Sequence, residues 1–181
     1  NGFPTLQSDG QRMDYAPPTT FPLEKLDQIP EGHDGWLLFL DEINAAPPSI
    51  QAAAYKLVLD RQIGAHNLHK RVAIVCAGNK STDKAIVNRL STAMQSRMIH
   101  LNLMVDPDSW LEWANTSDID HRVISFIKFR PELLHKFNPS HADDTFASPR
   151  TWEFLSKIIK DKPKFTRTDH AVLTGTVGEG P

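Results

Sequence analysis

The sequence predicts an α/β fold: a parallel sheet with flanking helices, followed by a purely helical region. Three observations carry this. Two apolar runs, at 36–40 and 72–77, are short, unbroken and bounded by turn residues, the pattern of strands buried on both faces. Between them Ile50, Ala53, Ala54, Leu57 and Val58 recur at helical spacing, so strand, helix and strand form a β–α–β unit. Beyond Asp106-Pro107-Asp108 the strand-like runs stop, which divides the chain into an α/β part over 1–105 and a helical part over 106–181.

Composition bounds the functional classes. With 181 residues, 40% apolar and 23% charged, the chain has a globular rather than a disordered composition. Its net charge of −2 supplies no basic field to recruit nucleic acid or an anionic membrane. No apolar run approaches the roughly 20 residues needed to span a bilayer, and these residues hold no signal-peptide pattern. The single cysteine, Cys76, excludes an internal disulfide framework and suits a reducing compartment. It sits inside the second run and is expected to be inert packing.

Taken in order, residues 1–34 are rich in turn formers, with Pro17-Pro18 and Pro22 unable to lie inside a helix or central strand, and are read as surface loop, with a disordered arm as the alternative. The first strand starts after Gly35. The helix that follows opens at Pro47-Pro48, since proline in a first turn forfeits no hydrogen bond, and should run to about Asp60. Residues 61–71 predict a short hairpin turning over Gly64 to Asn67. His66 and His69 lie there without a cysteine or acidic companion, and read as turn histidines rather than metal ligands. The second strand ends at Gly78-Asn79. Ser91 is an N-cap candidate for a short helix over 91–97, which leads into a third strand over 98–103 containing a half-buried His100. Arg97 then falls at the entry end of that strand.

In the helical part, helices are expected over 109–114, 121–129 and 131–137, with Trp110, Trp113, Phe126, Ile127, Leu133, Leu134 and Phe137 as core. A further helix starts from Ser148 as cap and Pro149 at its first position, burying Trp152, Leu155, Ile158 and Ile159. Arg150 is a cation in a first helical turn, where the macrodipole disfavours it, which fits an anionic partner or an exposed arginine tolerated at a cost of roughly a few tenths of a kcal/mol. The tail from Thr174 is glycine-rich.

The chemistry concentrates where the strands end. In parallel α/β sheets, ligands bind outside the carboxyl ends of the strands. The first run stops at Asp41-Glu42, the form of a Walker B motif: the aspartate can hold Mg²⁺ and the glutamate can polarise an attacking water. On these residues alone, a core strand ending in two solvated charges accounts for the pattern equally well. Asn79 should lie at the same sheet edge, where a neutral amide can hold a water or a phosphate oxygen.

Leu38-Phe39-Leu40-Asp41-Glu42-Ile43-Asn44 followed by Ala46-Pro47-Pro48, together with Ala77-Gly78-Asn79, residues 91–97 and Ser148-Pro149-Arg150, resembles the MoxR-type branch of the AAA+ ATPases in order and spacing. The resemblance covers most of the chain. It implies an incomplete parallel AAA+ sheet with flanking helices and a partial α-helical lid. It further implies an ATP hydrolase that acts as a hexameric, homo-oligomeric ring in the cytoplasm, remodelling or activating partner proteins with no nucleic acid or membrane involved. A von Willebrand factor A-type protein is a partner often found with such ATPases. ATP and Mg²⁺ are the implied cofactors. By resemblance Asp41 is the metal-holding residue and Glu42 the catalytic base. Asn79 is sensor 1, positioning the water beside the nucleotide. Arg97 is the arginine finger reaching a neighbouring subunit, because an entry-end residue cannot meet Asp41 within one chain. Arg150 is the nucleotide-sensing residue of the lid.

The departure is equally specific. The sequence contains no G-x-x-x-x-G-K-[ST], so nothing in it cradles the β- and γ-phosphates. The expectation is an internal piece of a longer ATPase, with the phosphate-loop strand absent from a slot beside the 72–77 strand. The alternative is a non-catalytic AAA+-shaped interaction module that binds no nucleotide. A metal-dependent hydrolase built on Asp41-Glu42 lacks a histidine or third carboxylate at ligand spacing.

Overall fold

The computed structural model describes residues 3–80, 88–138 and 145–179. The chain forms two compact units, Asn1–His100 and Leu101–Pro181.

In the first unit, β1 (Phe3–Leu6) and β2 (Met13–Ala16) form an antiparallel hairpin in a stretch read from sequence as loop. Its prolines permit this because Pro4 sits in a two-stranded ribbon, where an edge position needs no N–H. All eight strand residues are exposed. The sheet that organises the unit pairs β3 (Trp36–Leu40) with β6 (Val72–Cys76) in parallel, in register from Trp36↔Val72 to Leu40↔Cys76.

Between them run α1 (Pro48–Tyr55), a π-helical turn over Lys56–Asp60, and a small hairpin of β4 (Gln62–Ile63) and β5 (His66–Asn67). The helical path ends at Arg61, whose positive φ of 54° turns the chain away. Its guanidinium Nη2 donates to the carbonyls of His69 and Val72, at 3.2 and 2.6 Å. The helical stripe is less buried than its spacing predicts. Only Leu57 is fully buried, and Ile50 is exposed.

One face of the β3–β6 pair is packed. Trp36, Leu38, Leu40 and Ile74 lie against a core of Leu23, Leu57, Leu68 and Val72. Leu23 comes from the presumed loop. It is held there by its N–H donating to Asp27 Oδ2 at 2.7 Å and by a bridge to Leu68. The other face is open, with Leu37, Phe39 and Val75 exposed, so neither strand is buried on both faces as the unbroken apolar runs predict.

The expected third strand over 98–103 does not form. The segment has no strand partner among the described residues, and Ile99 and Leu103 are 90% and 98% exposed. An alternating apolar pattern makes a strand only where a neighbour satisfies its backbone. His100 is exposed rather than half-buried, its Nε2 within 2.8 Å of the Gln95 carbonyl.

At the entry end of the sheet the Trp36 N–H donates to the Arg71 carbonyl at 3.0 Å, and a Cβ on Gly35 would stand 2.1 Å from that same oxygen. Gly35→Ala is therefore expected to cost about 2–3 kcal/mol through backbone displacement. A urea titration reads this as a lowered midpoint at unchanged slope, and an unchanged midpoint would contradict it.

The second unit is helical: α3 (Pro107–Thr116), α4 (His121–Phe129), a 3₁₀ turn over Pro131–Leu133, α5 (Pro149–Ile159) and α6 (Arg167–Val177). The helix expected over 131–137 is that single turn, since Lys136 leaves it to pair with Ala147. The last turn of α6 lies in the glycine-rich tail, and the helix starts at a capping box of Thr166 and Asp169. Trp110, Val123, Ile127, Leu134, Trp152, Leu155, Ile159 and Val177 form the core.

Ser156, not Ile158, completes the inward face of α5. Its Oγ accepts the Asp120 N–H at 2.7 Å, while Ile158 is exposed. Asp120 caps α4 and binds Arg122 through both carboxylate oxygens, at 2.9 and 2.8 Å. Arg122 in turn donates to the carbonyls of Ile159 and Lys162 at 2.6 Å each, tying α4 to the end of α5. An apolar cavity of about 600 Å³ opens beside Phe126, Trp152, Leu155, Phe165 and Leu173.

Candidate functional site

The parallel register brings Asp41-Glu42 and Gly78-Asn79 to one carboxyl edge. The ladder continues one step past the strands, with the Ala77 N–H donating to the Leu40 carbonyl at 2.9 Å and the Ile43 N–H to the Ala77 carbonyl at 3.0 Å. Ile43 is buried, which anchors the turn that carries the two carboxylates, while Asp41, Glu42 and Asn79 are all exposed.

Glu42 has a φ of 51°, left-handed for a residue with a Cβ. Such a conformation costs about 1–2 kcal/mol and survives only where its surroundings impose it. Here Asp41 Oδ1 accepts the Glu42 N–H at 2.9 Å and the Glu42 carbonyl accepts the Ala45 N–H at 2.9 Å. Asp41 thus uses one oxygen inside the turn and keeps Oδ2 outside these bonds.

Mg²⁺ commonly takes one or two carboxylates from a protein and the rest of its octahedron from phosphates and water. Asp41 beside Glu42 fits an ion that arrives with a nucleotide. It does not make a dedicated cage, and among the described residues no group of three or more His, Cys, Asp or Glu could hold a metal. His69 is engaged otherwise. Its Nδ1 accepts the Arg71 N–H at 3.1 Å and its ring meets Trp36 edge-on at 4.9 Å. Burial pushes the Cys76 thiol above its ordinary range, as suits an unreactive packing residue.

The edge contains a residue that lies in the motif but takes no role from it, Asn44. Asn44 Nδ2 donates to the Asn79 carbonyl at 2.7 Å, and its Oδ1 accepts the Asn79 N–H at 3.2 Å. From the other side, the Asn44 carbonyl accepts the Asn88 N–H at 2.7 Å, and Asn88 Nδ2 donates to the Ala46 carbonyl at 3.0 Å. Nothing in the spacing of residues 44, 79 and 88 announces these contacts. The parallel pairing brings Asn44 beside Asn79.

Arg97 lies just past α2 (Thr92–Gln95), which is capped by Ser91 through its Oγ accepting the Met94 N–H at 3.3 Å. Because no strand forms over 98–103, Arg97 is not at a strand entry. It is an exposed side chain whose Nη1 donates to the Ala93 carbonyl at 3.2 Å. Arg150 is exposed in the first turn of α5, within a capping box made by Ser148 and Thr151. It belongs to the helical unit, whereas Asp41, Glu42, Asn79 and Arg97 belong to the first. Among the described residues no helix is long and apolar enough to cross a membrane. No family model matches the sequence, and neither a curated protein nor a solved structure is significantly similar to it.

Proposed function

We propose that this chain is part of a MoxR-type AAA+ ATPase, a cytoplasmic homo-oligomeric ring that hydrolyses ATP to remodel or activate partner proteins, among them a von Willebrand factor A-type protein. The observation that carries the reading is the parallel β3–β6 pair, which sets Asp41-Glu42 and Asn79 along one carboxyl edge. The left-handed Glu42 adds support, because strained backbone concentrates at functional turns.

In this reading the phosphate loop comes from residues outside this sequence. Asp41 would hold Mg²⁺, which when bound would supply charge neutralisation on the phosphates. Glu42 accepts a proton from the attacking water. The Asn79 amide orients that water. Arg97 stabilises charge in a neighbour's site, and Arg150 answers the nucleotide from the lid.

A second reading is an AAA+-shaped interaction module without nucleotide binding. The missing phosphate loop and the open apolar face of Leu37, Phe39 and Val75 favour it. Glu42→Gln in the full-length protein separates the two. Glutamine keeps the shape and an acceptor but cannot take a proton from water. ATP affinity is expected to stay within about threefold while hydrolysis falls by at least about 100-fold. Hydrolysis within about threefold of wild type, under ~1 kcal/mol of barrier, removes Glu42 as the base. A wild-type protein that binds no Mg-ATP leaves the interaction module standing.

A further inference from the structure

We propose that Asn44 is a positioning residue that locks Asn79 to the Asp41-Glu42 turn, so that the candidate base and the candidate water-orienting amide move as one unit. The inference rests on the ATPase reading above.

The parallel ladder would otherwise fray beyond Ala77, because a strand pair leaves its terminal peptide groups without partners. The Asn44 side chain is a primary amide, and it substitutes there for a peptide unit. Its donor and its acceptor both go to the backbone of one residue, Asn79, at 2.7 and 3.2 Å. Because neither bond uses the Asn79 side chain, they leave its carboxamide for a ligand. Asn88 grips the turn from behind, donating its N–H to the Asn44 carbonyl and its side-chain N–H to the Ala46 carbonyl, at 2.7 and 3.0 Å.

The fit also explains Gly78. A Cβ there would lie 2.4 Å from Asn44 Oδ1, and the three nearest atoms all belong to Asn44, so glycine is what lets the amide reach Asn79. Few other side chains can perform the task. Aspartate keeps the acceptor but faces the Asn79 carbonyl with a second oxygen in place of a donor, and alanine reaches neither group.

The test uses full-length protein with Asn44→Ala, Asn44→Asp, Gly78→Ala and the double variant Asn44→Ala/Gly78→Ala. It reads ATP hydrolysis kinetics and hydrogen exchange at the Asn79 amide. Each single variant is expected to lower kcat by about 10- to 100-fold, the scale of a catalytic group displaced by about 1 Å. KM should stay within about threefold, because the lost interaction serves the chemical step rather than binding. Exchange at Asn79 should accelerate in Asn44→Ala, Gly78→Ala and the double variant, which lose the acceptor for its N–H, and less in Asn44→Asp, which keeps it. The double variant is expected to be no worse than the more damaged single one, since both substitutions break the same clasp.

Unchanged exchange at Asn79 in Asn44→Ala overturns the clasp. Faster exchange with unchanged kcat overturns the positioning role and leaves Asn44 a loop staple. If the wild-type protein does not hydrolyse ATP, the ATPase reading fails and the positioning role falls with it, while the exchange measurement still decides whether the clasp exists. Should Asn44→Ala fail to fold, Gly78→Ala delivers the same lesion from the opposite side.

Discussion

If the proposed ATPase reading holds, Arg97→Ala reduces ATP hydrolysis by about 10³- to 10⁵-fold, the range for an arginine that stabilises charge in a phosphoryl-transfer transition state, while leaving nucleotide affinity nearly unchanged. The side chain is exposed and makes a single bond to the carbonyl of Ala93 in its own helical turn, so nothing in its own unit commits it to Asp41 or Glu42. The proposed reach into a neighbouring subunit is tested by mixing. A ring containing both Arg97→Ala and Glu42→Gln subunits has some interfaces where an intact Glu42 meets an intact Arg97, and neither homogeneous mutant ring has any. Mixed rings should therefore recover part of the activity. If mixed rings form and show no more turnover than the two mutants measured apart, Arg97 does not act in trans.

The largest expected effect on stability lies in the helical unit. Asp120→Ala removes the cap of α4 and strips Arg122 of the carboxylate that meets its guanidinium. The Asp120 side chain is only 5% exposed and that of Arg122 28%, so the pair is largely withdrawn from water. Breaking such a pair on one side costs about 3 kcal/mol, read as a lowered denaturation midpoint for this unit.

The same pair sets a pH dependence. The Arg122 side chain, joined by its backbone N–H, holds the Asp120 carboxyl down at about 2, below its ordinary 3.8. A carboxyl depressed in the native state contributes fully above its unfolded pKa. That contribution is lost as the pH falls from about 4 through 2. Asp169 is likewise held at about 2, first by Lys162 and then by the Thr166 N–H and hydroxyl, and titrates in the same window. Comparing wild type with Asp120→Ala isolates the first contribution. The variant should lose less stability than wild type between pH 4 and pH 2, and parallel curves would show that Asp120 is not coupled to folding.

Local chemistry made much of this chain readable. Helix starts at Pro48, Thr92 and Pro149 follow from proline and from Ser91 and Ser148, whose hydroxyls bond within one turn. The runs of β3 and β6 and the turn residues that end them are equally local. Even α6, which runs into the glycine-rich tail, carries a local capping signal in Thr166 and Asp169. What the sequence by itself determined was therefore the position of these caps and strands, and with them the place of Asp41, Glu42 and Asn79 at strand ends.

The β–α–β pair and the 61–71 hairpin were legible along the chain, but only the tertiary structure decided the remaining partners. The alternation of Ile99, Leu101 and Leu103 has the strand period, yet no neighbour reaches it among the described residues and the segment stays open. Leu23 reads as loop and becomes core because Leu68 lies across from it. Ser156 and Asp120, 36 residues apart, share a buried hydrogen bond that no periodicity encodes. Asn44 and Asn79, 35 apart, meet only because β3 and β6 run parallel in register. A helix or cap satisfies its hydrogen bonds within a few residues, so its rules can be read along the chain. A sheet edge, a buried polar pair or a clasp is satisfied by a distant segment, and it exists only once the fold has brought that segment alongside.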